Sequence, residues 1–239
     1  MSDVATRREY FERFHTYVGD AELDATAAIA GFAPAIGRLN YLDDATLEKL
    51  VCLLGIHDGA RVLDIGCGRG FLGRWLLSRG HRVAYTAVDY APSALVAVRR
   101  FLPDAEIVHG DASAVSGEYD AVFLIESVWA VDDALAARLS RTVAAGGSVA
   151  IVLTSLTDSH DARIEATMAS LVKAGFNVAN VELDADHAKT AGRLCAATLI
   201  EGQTHPWVRE RMSAEAGQTL AALRDGTFRS SALVAAGNT

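Results

Sequence analysis

Short apolar runs alternate with helix-like segments along the middle of the chain, from about residue 60 to residue 156. The runs are almost continuously apolar, which is typical of strands buried on both faces of a sheet. Between them, apolar residues recur three and four positions apart, which predicts amphipathic helices. Alternating strands and helices predict a parallel sheet with helical crossovers. The predicted strands are 61–65, 82–89, 106–109, 121–125 and 148–153, and the predicted helices are 71–78, 93–101 and 133–143.

The two ends of the chain depart from this alternation. Residues 1–57 precede the first strand and have helical spacing, with an aromatic stripe of Tyr10, Phe14 and Tyr17. After the fifth strand, the pattern predicts a helix that ends at Gly175 and a strand over 177–183. Two further helices, over 188–200 and 207–223, then separate this strand from a last one over 227–235.

The first predicted strand leads into a glycine-rich loop and then a helix. Gly66, Gly68 and Gly70 follow Asp64 at the strand end, in the spacing G-x-G-x-G. A dinucleotide-binding loop has the spacing G-x-G-x-x-G and holds a pyrophosphate. The carboxylate of Asp64 would repel a pyrophosphate and would instead favour an ammonium group. The loop therefore predicts a nucleotide-like ligand that carries an amine.

Acidic residues also follow the next two predicted strands. Asp89 closes the second strand, where ribose hydroxyls need an acceptor. Asp111 closes the third strand, and it is followed by Ala112. Three acids at three consecutive strand ends predict one ligand site along a single edge of the sheet.

These residues resemble motif I and the following strand ends of class I S-adenosylmethionine-dependent methyltransferases of the small-molecule type. The resemblance implies S-adenosyl-L-methionine as the cofactor and a Rossmann-like α/β fold with a seven-stranded, mostly parallel sheet and helices on both faces. It implies that the methionine part lies along the loop, the ribose at the second strand end, and the adenine amino group at Asp111 with the ring against the amide of Ala112. The segment 39–41 is similar to a family segment near the cofactor carboxylate. The implied cofactor-binding residues are Asp64, Gly66, Cys67, Gly68, Asp89, Tyr90, Asp111, Ala112 and Tyr41.

The same resemblance gives roles to the helical ends of the chain. The N-terminal helices are similar to a lid over cofactor and substrate, although core packing also explains the aromatic stripe. The helical insertion resembles the substrate cap of ubiquinone, sterol, tocopherol, terpene and natural-product methyltransferases. One compact domain is thus expected to comprise an N-terminal cap (1–57), a cofactor-binding core (58–186), a substrate-cap insertion (187–226) and a last core strand (227–239).

Composition restricts the partners. The net charge of -8 argues against a nucleic-acid partner, because phosphates require a basic surface. The cysteines Cys52, Cys67 and Cys195 have neither metal-ligand nor disulfide spacing, which fits a reducing cytoplasm. No segment has the length and apolarity of a membrane span or a signal core. We expect a cytoplasmic enzyme without a metal, and a homodimer is left open.

The reacting groups are expected where the fourth strand ends. Glu126 follows an apolar run, so burial would raise its pKa toward that of a general base; the alternative is a residue that positions the next loop. The histidines are the other candidate bases, and His160 ranks first among them because it follows the fifth strand. Trp129, Tyr10 and Tyr17 are predicted to bind the substrate, with core packing as the alternative.

The sequence therefore predicts methyl transfer to oxygen or carbon of a small molecule, such as a secondary metabolite. Two alternatives stay open at this point. One is a nicotinamide-dependent oxidoreductase on a similar fold, and the other is a non-catalytic partner subunit that binds S-adenosylmethionine.

Overall fold

The computed structural model describes residues 4–32, 36–157, 159–183 and 185–237. Three helices come first, and strands then alternate with helices. The helices are α1 (Val4–Tyr17), α2 (Asp20–Ile29), α3 (Asp44–Leu53), α4 (Phe71–Ser78), α5 (Pro92–Phe101), α6 (Asp133–Thr142), α7 (His160–Lys173), α8 (Ala185–Glu201) and α9 (Pro206–Asp225). The strands are β1 (Arg61–Ile65), β2 (Ala84–Asp89), β3 (Glu106–His109), β4 (Tyr119–Ile125), β5 (Val143–Ser155), β6 (Asn177–Glu182) and β7 (Arg229–Ala236).

The strands form one sheet in the order β3-β2-β1-β4-β5-β7-β6. The first five strands in the chain pair in parallel, whereas β7 lies antiparallel between β5 and β6. The predicted seven-stranded, mostly parallel sheet is confirmed. Because β1, β2 and β4 run in the same direction, their carboxyl ends and the loops that follow them meet at one edge.

Apolar residues cover both faces of the sheet. Adjacent residues of β1 point to opposite faces, so Val62 packs in one core layer with Trp75 of α4, and Leu63 packs in the other with Leu139 of α6. Trp75 is 1% exposed, and Val62 and Leu63 are fully buried. These two layers fix β1 and therefore the position of the loop that follows it.

The N-terminal helices and the insertion pack against each other. Ala27 of α2 and the following Phe32 share a cluster with Leu194 of α8. Phe14 of α1 packs in a second cluster with Val208 of α9. The helices predicted as two separate caps therefore form one helical layer above the strand ends. The outermost residues of the predicted segments, 1–3 and 238–239, lie outside the described residues.

Several predicted element bounds were wrong by a few residues. The second strand begins at Ala84 rather than at residue 82. Helix α6 ends at Thr142, and β5 already begins at Val143, so the glycines at 146 and 147 lie within a strand and not in a loop. Strand β5 begins earlier than predicted because Val143 already pairs with Tyr119 of β4. The register then shifts, and regular pairing continues from Ala121. Within the described ranges, no helix has both the length and the apolarity to cross a lipid bilayer.

Candidate active site

The loop after β1 turns through backbone conformations that favour glycine. Gly66 and Gly68 have φ angles of 73° and 52°. A Cβ atom at Gly66 would lie 2.3 Å from Cβ of Ser127, which is too close for any side chain. The Gly66 amide donates to the carbonyl oxygen of Val88 at 2.8 Å, which ties the loop to β2. The loop is thus fixed in place, and its bare backbone is open to a ligand.

Asp89 holds this loop from the end of β2. One carboxylate oxygen accepts a hydrogen bond from the Gly68 amide at 2.9 Å, and the other accepts from the Ala91 amide at 2.9 Å. Burial raises the pKa of Asp89, while these amides lower it. Each oxygen keeps a further lone pair, so the group can still accept from the hydroxyls of a ligand.

Asp64 is more deeply enclosed. The hydroxyl of Tyr85 donates to it at 2.6 Å, and burial raises its pKa to about 7. The predicted anionic group at this position therefore carries a full charge only above about pH 7 unless a ligand cation stabilises it.

These groups open into one cavity of about 330 Å³. The strand-end loops form its floor, and α1 with the segment around Tyr41 forms its roof. Nearly all of the predicted cofactor residues come together here, and Asp111 and Ala112 line an adjoining cleft that shares Gly66, Asp89 and Tyr90. The predicted residues that line the cavity itself are Tyr10, Tyr41, Asp64, Gly66, Cys67, Gly68, Asp89, Tyr90 and Glu126.

Helix α1 is bound to the sheet edge by polar contacts. Arg8 and Asp111 form an ion pair with an N···O distance of 2.9 Å. The amide and hydroxyl of Ser93 donate to Glu12 at 3.2 and 3.0 Å. Hydrogen bonds from Ser113 lower the pKa of Asp111, with Arg8 contributing less. The helix therefore lies across both the cavity and its adjoining cleft.

Two buried side chains of the roof have nitrogen atoms without a partner. His15 and Arg38 are 7% and 6% exposed, and both line the cavity. Nδ1 of His15 and Nε of Arg38 have no hydrogen-bond partner among the described residues. Burial, followed by the charge of Arg69, lowers the pKa of His15 to about 3, so its ring is neutral. Buried polar atoms normally have partners, so these two nitrogens are available to a ligand in the cavity.

Glu126 lies at the opposite side of the cavity, at the end of β4. It is the one non-glycine residue with positive φ, 50°, in the described part of the chain. Such a conformation costs about 1–3 kcal/mol and is commonest at functional sites. Thr154 donates to Oε1 of Glu126 at 2.7 Å, and Thr154 itself lies 3.0 Å from the hydroxyl of Ser230. Burial raises the pKa of Glu126 to about 7, which suits a group that accepts a proton near neutral pH.

The helical insertion adds side chains that the sequence pattern did not single out. Glu215 of α9 and Cys195 of α8 line the cavity near Tyr41. The hydroxyl groups of Tyr41 and Thr219 are 3.1 Å apart and share a hydrogen bond. Burial raises the pKa of Glu215, and it raises the pKa of Cys195 to about 11. No local spacing distinguishes these residues, because only the packing of α8 and α9 brings them beside β4.

Three predicted site residues lie away from the cavity. His160 is 3% exposed and its Nε2 lies 3.0 Å from the hydroxyl of Ser231 in β7. Trp129 is 58% exposed, with the guanidinium of Arg163 stacked 3.7 Å from its ring centre. Tyr17 is exposed and stacks on a histidine of the segment before α9. None of the three lines the cavity.

Residues 62–147 match the family described as a methyltransferase domain. Over 98 residues, the chain is 45% identical to ribosomal RNA small subunit methyltransferase C of Chromohalobacter salexigens, a match that covers 37% of this chain and 28% of that protein. Over 113 residues, it is 34% identical to ubiquinone biosynthesis O-methyltransferase of Bordetella avium, covering 44% of this chain and 41% of that protein. The chain thus spans less than half the length of either relative.

Likeness to solved structures extends further along the chain. The structure of mycolic acid cyclopropane synthase CmaA1 complexed with SAH and CTAB aligns with a TM-score of 0.72 and 14% identity. The alignment covers 95% of this chain and 98% of that chain, so it includes both the helical layer and the sheet. At this identity, the likeness shows a common fold.

Proposed function

We propose, from the match of residues 62–147 to a methyltransferase domain, that the chain is an enzyme that transfers a methyl group from S-adenosyl-L-methionine to a small molecule. The observation that carries the proposal is the cavity, in which the glycine loop and Asp89 form one side and Glu126 the other. The residues that would bind the cofactor and a carboxylate that can accept a proton therefore line the same cavity.

The residues of the cavity fit this cofactor. Gly66 and Gly68 leave a space that a Cβ would fill, and Asp89 offers acceptors for the ribose hydroxyls. The partnerless nitrogens of His15 and Arg38 are suited to the carboxylate of the methionine part. In this proposal Asp64, Cys67 and Tyr41 also line the methionine end, Tyr90 lies at the ribose, and Asp111 with Ala112 lies at the adenine.

The protein has few chemical tasks in this reaction. When bound, the cofactor supplies an activated methyl group on a good leaving group. The glycine loop and the roof residues hold the reactants in line. Glu126 accepts the proton of the acceptor, and Thr154 keeps one of its oxygens in place. The roof formed by α1 excludes water from the reacting groups.

We propose an oxygen or carbon atom of a small molecule as the methyl acceptor, rather than a nucleic acid. One relative is named for ribosomal RNA, but this chain has a net charge of -8 and its cavity lies beneath a helix. A natural-product acceptor, a cytoplasmic location and a homodimer stay predictions. If tritiated methyl groups from the cofactor entered RNA but not the small-molecule fraction of an extract, the acceptor proposal would fail.

Calorimetric titration with S-adenosylmethionine, S-adenosylhomocysteine and NADH tests the cofactor. We expect micromolar binding of both adenosyl ligands, about -8 kcal/mol, and none of NADH. Binding of NADH alone would support the oxidoreductase and overturn the proposal. Cofactor binding without methyl transfer to any acceptor pool would instead support the non-catalytic subunit.

A further inference from the structure

In the part of the chain that the structure describes, the side of the cavity that carries Glu126, here called the acceptor side, holds two carboxyl groups and no cation that neutralises them. Glu126 and Glu215 both line the cavity. Neither forms an ion pair with any of the residues that the structure describes. The cavity arginines, Arg38 and Arg69, are already paired with Asp44 and Asp20. Enclosed charge without a partner is costly, so a ligand that supplies a cation would be stabilised here.

Glu215 lines the cavity with a side chain that is accessible to solvent. Desolvation by its surroundings nevertheless raises its pKa. Thr154 occupies one oxygen of Glu126, whereas Tyr41 lies beside Glu215 and partly offsets the effect of burial on its pKa. Glu215 is therefore the carboxylate that is better placed to meet a charged group of a ligand.

Aromatic rings line the same part of the cavity. Tyr10 and Tyr41 both lie close enough to Glu215 that its charge raises their pKa values, after the larger effect of burial. Tyrosine faces next to a carboxylate bind an organic cation through its charge and its apolar surface together. In the roof, Nδ1 of His15 and Nε of Arg38 are also available to a ligand.

We propose that the methyl acceptor is an amine, whose protonated nitrogen binds against Glu215 while the atom to be methylated faces Glu126. This inference rests on the proposed function and specifies its substrate class. Glu215 is then the residue that determines specificity, and the helical insertion contributes charge as well as shape. The sulfonium of the cofactor is a second cation, but Glu215 comes from α9 rather than from the strand-end loops that carry the cofactor residues.

Binding of matched ligands to the S-adenosylhomocysteine complex tests this proposal. The probes are phenethylamine, tyramine, histamine and cadaverine, each compared with its uncharged N-acetyl derivative by calorimetry. The proteins are the wild type, Glu215→Gln and Glu210→Gln. Glu210 is a matched control, because it is an exposed carboxylate on the same helix and does not line the cavity.

We expect at least one amine to bind the wild type and the Glu210→Gln protein about tenfold more tightly than its N-acetyl partner. In Glu215→Gln this preference should fall to within about twofold, with S-adenosylhomocysteine affinity unchanged. The proposal is overturned if no amine binds, if every amine binds only as tightly as its N-acetyl derivative, or if Glu215→Gln keeps the preference for the amine. It is also overturned if Glu215→Gln weakens S-adenosylmethionine relative to S-adenosylhomocysteine, since Glu215 would then serve the sulfonium. Failure of the wild type to bind S-adenosylhomocysteine would refute the proposed function itself.

Discussion

Replacing Glu126 with glutamine removes a buried ionisable group but keeps an oxygen that accepts the hydrogen bond from Thr154. In the wild type, burial raises the pKa of Glu126 from 4.5 to about 7. Between those values the unfolded chain releases a proton that the folded protein keeps, so stability falls as the pH rises. At about 1.4 kcal/mol per pKa unit, the wild type loses roughly 3 kcal/mol by pH 7 and above. Below about pH 4.5 both states hold the proton and the loss disappears.

Urea unfolding at acidic and alkaline pH measures this effect. The measured quantity is the free energy of unfolding of Glu126→Gln minus that of the wild type. We expect this difference to be about 3 kcal/mol larger at pH 8 than at pH 4.5. The other acids with raised pKa values, Asp64, Asp89 and Glu215, are present in both proteins, so most of their contribution cancels. The exposed Glu118→Gln, just before β4, is the control. If the difference in free energy of unfolding between Glu126→Gln and the wild type did not change with pH, the reasoning would be refuted.

The pH dependence of turnover tests the role of Glu126 as the proton acceptor. Only the carboxylate form accepts a proton, so wild-type turnover should rise with pH and level off above about 7. Above about pH 7, Glu126→Gln should lose about 10²- to 10⁴-fold in turnover, with cofactor affinity nearly unchanged, and the difference from the wild type should shrink as the pH falls. If the variant kept wild-type turnover and the same pH profile, Glu126 would not be the proton acceptor.

The remaining predictions concern the cofactor site and the outlying histidine. Asp89→Ala removes the acceptor of two loop hydrogen bonds, so S-adenosylhomocysteine affinity measured by calorimetry should fall at least about 100-fold; exposed Asp104→Ala is its control, and equal affinities would mean that the ribose site is misplaced. Gly66→Ala forces a Cβ to 2.3 Å from Ser127 and should abolish cofactor binding while the circular dichroism of the fold persists; a variant that binds normally would contradict the loop geometry. His160→Asn should lower the free energy of unfolding by about 1–3 kcal/mol through its lost contact in β7 and leave kcat/KM unchanged; a loss of kcat/KM in folded protein would restore His160 to the reaction.

The sequence predicted the parallel part of the fold because its signals are local. Each strand of that part is an apolar run next to a turn and an amphipathic helix, so the bounds of β1, β3 and α4 agree with the prediction residue for residue. The position of β7 could not be read in this way. Its pairing with β5 and β6 depends on residues far apart in the chain, and the periodicity of a strand does not name its neighbours.

The same distinction applies to the site. Asp64, Gly66 and Asp89 lie at the ends of strands that must meet, so their joint position could be predicted. His160 also follows a strand, but β7 pairs alongside the end of β5, and the histidine contacts Ser231 there instead of facing the cavity. Glu215 lies on α9, and its place over the sheet edge depends on the packing of α9 against helices far away in the chain, including α1.

Because β7 lies between β5 and β6, β6 cannot join the sheet before the C-terminal strand has docked. Among the strands that the structure describes, β6 pairs with β7 alone, and α8 and α9 lie between these two strands in the chain. Closing so long a connection carries an entropic cost and slows folding. A chain with only β1 to β5 assembled would already hold the glycine loop, Asp89 and Glu126, but not Glu215, which α9 contributes. The adenosyl ligand could therefore bind an early intermediate and, by mass action, assist the completion of the sheet.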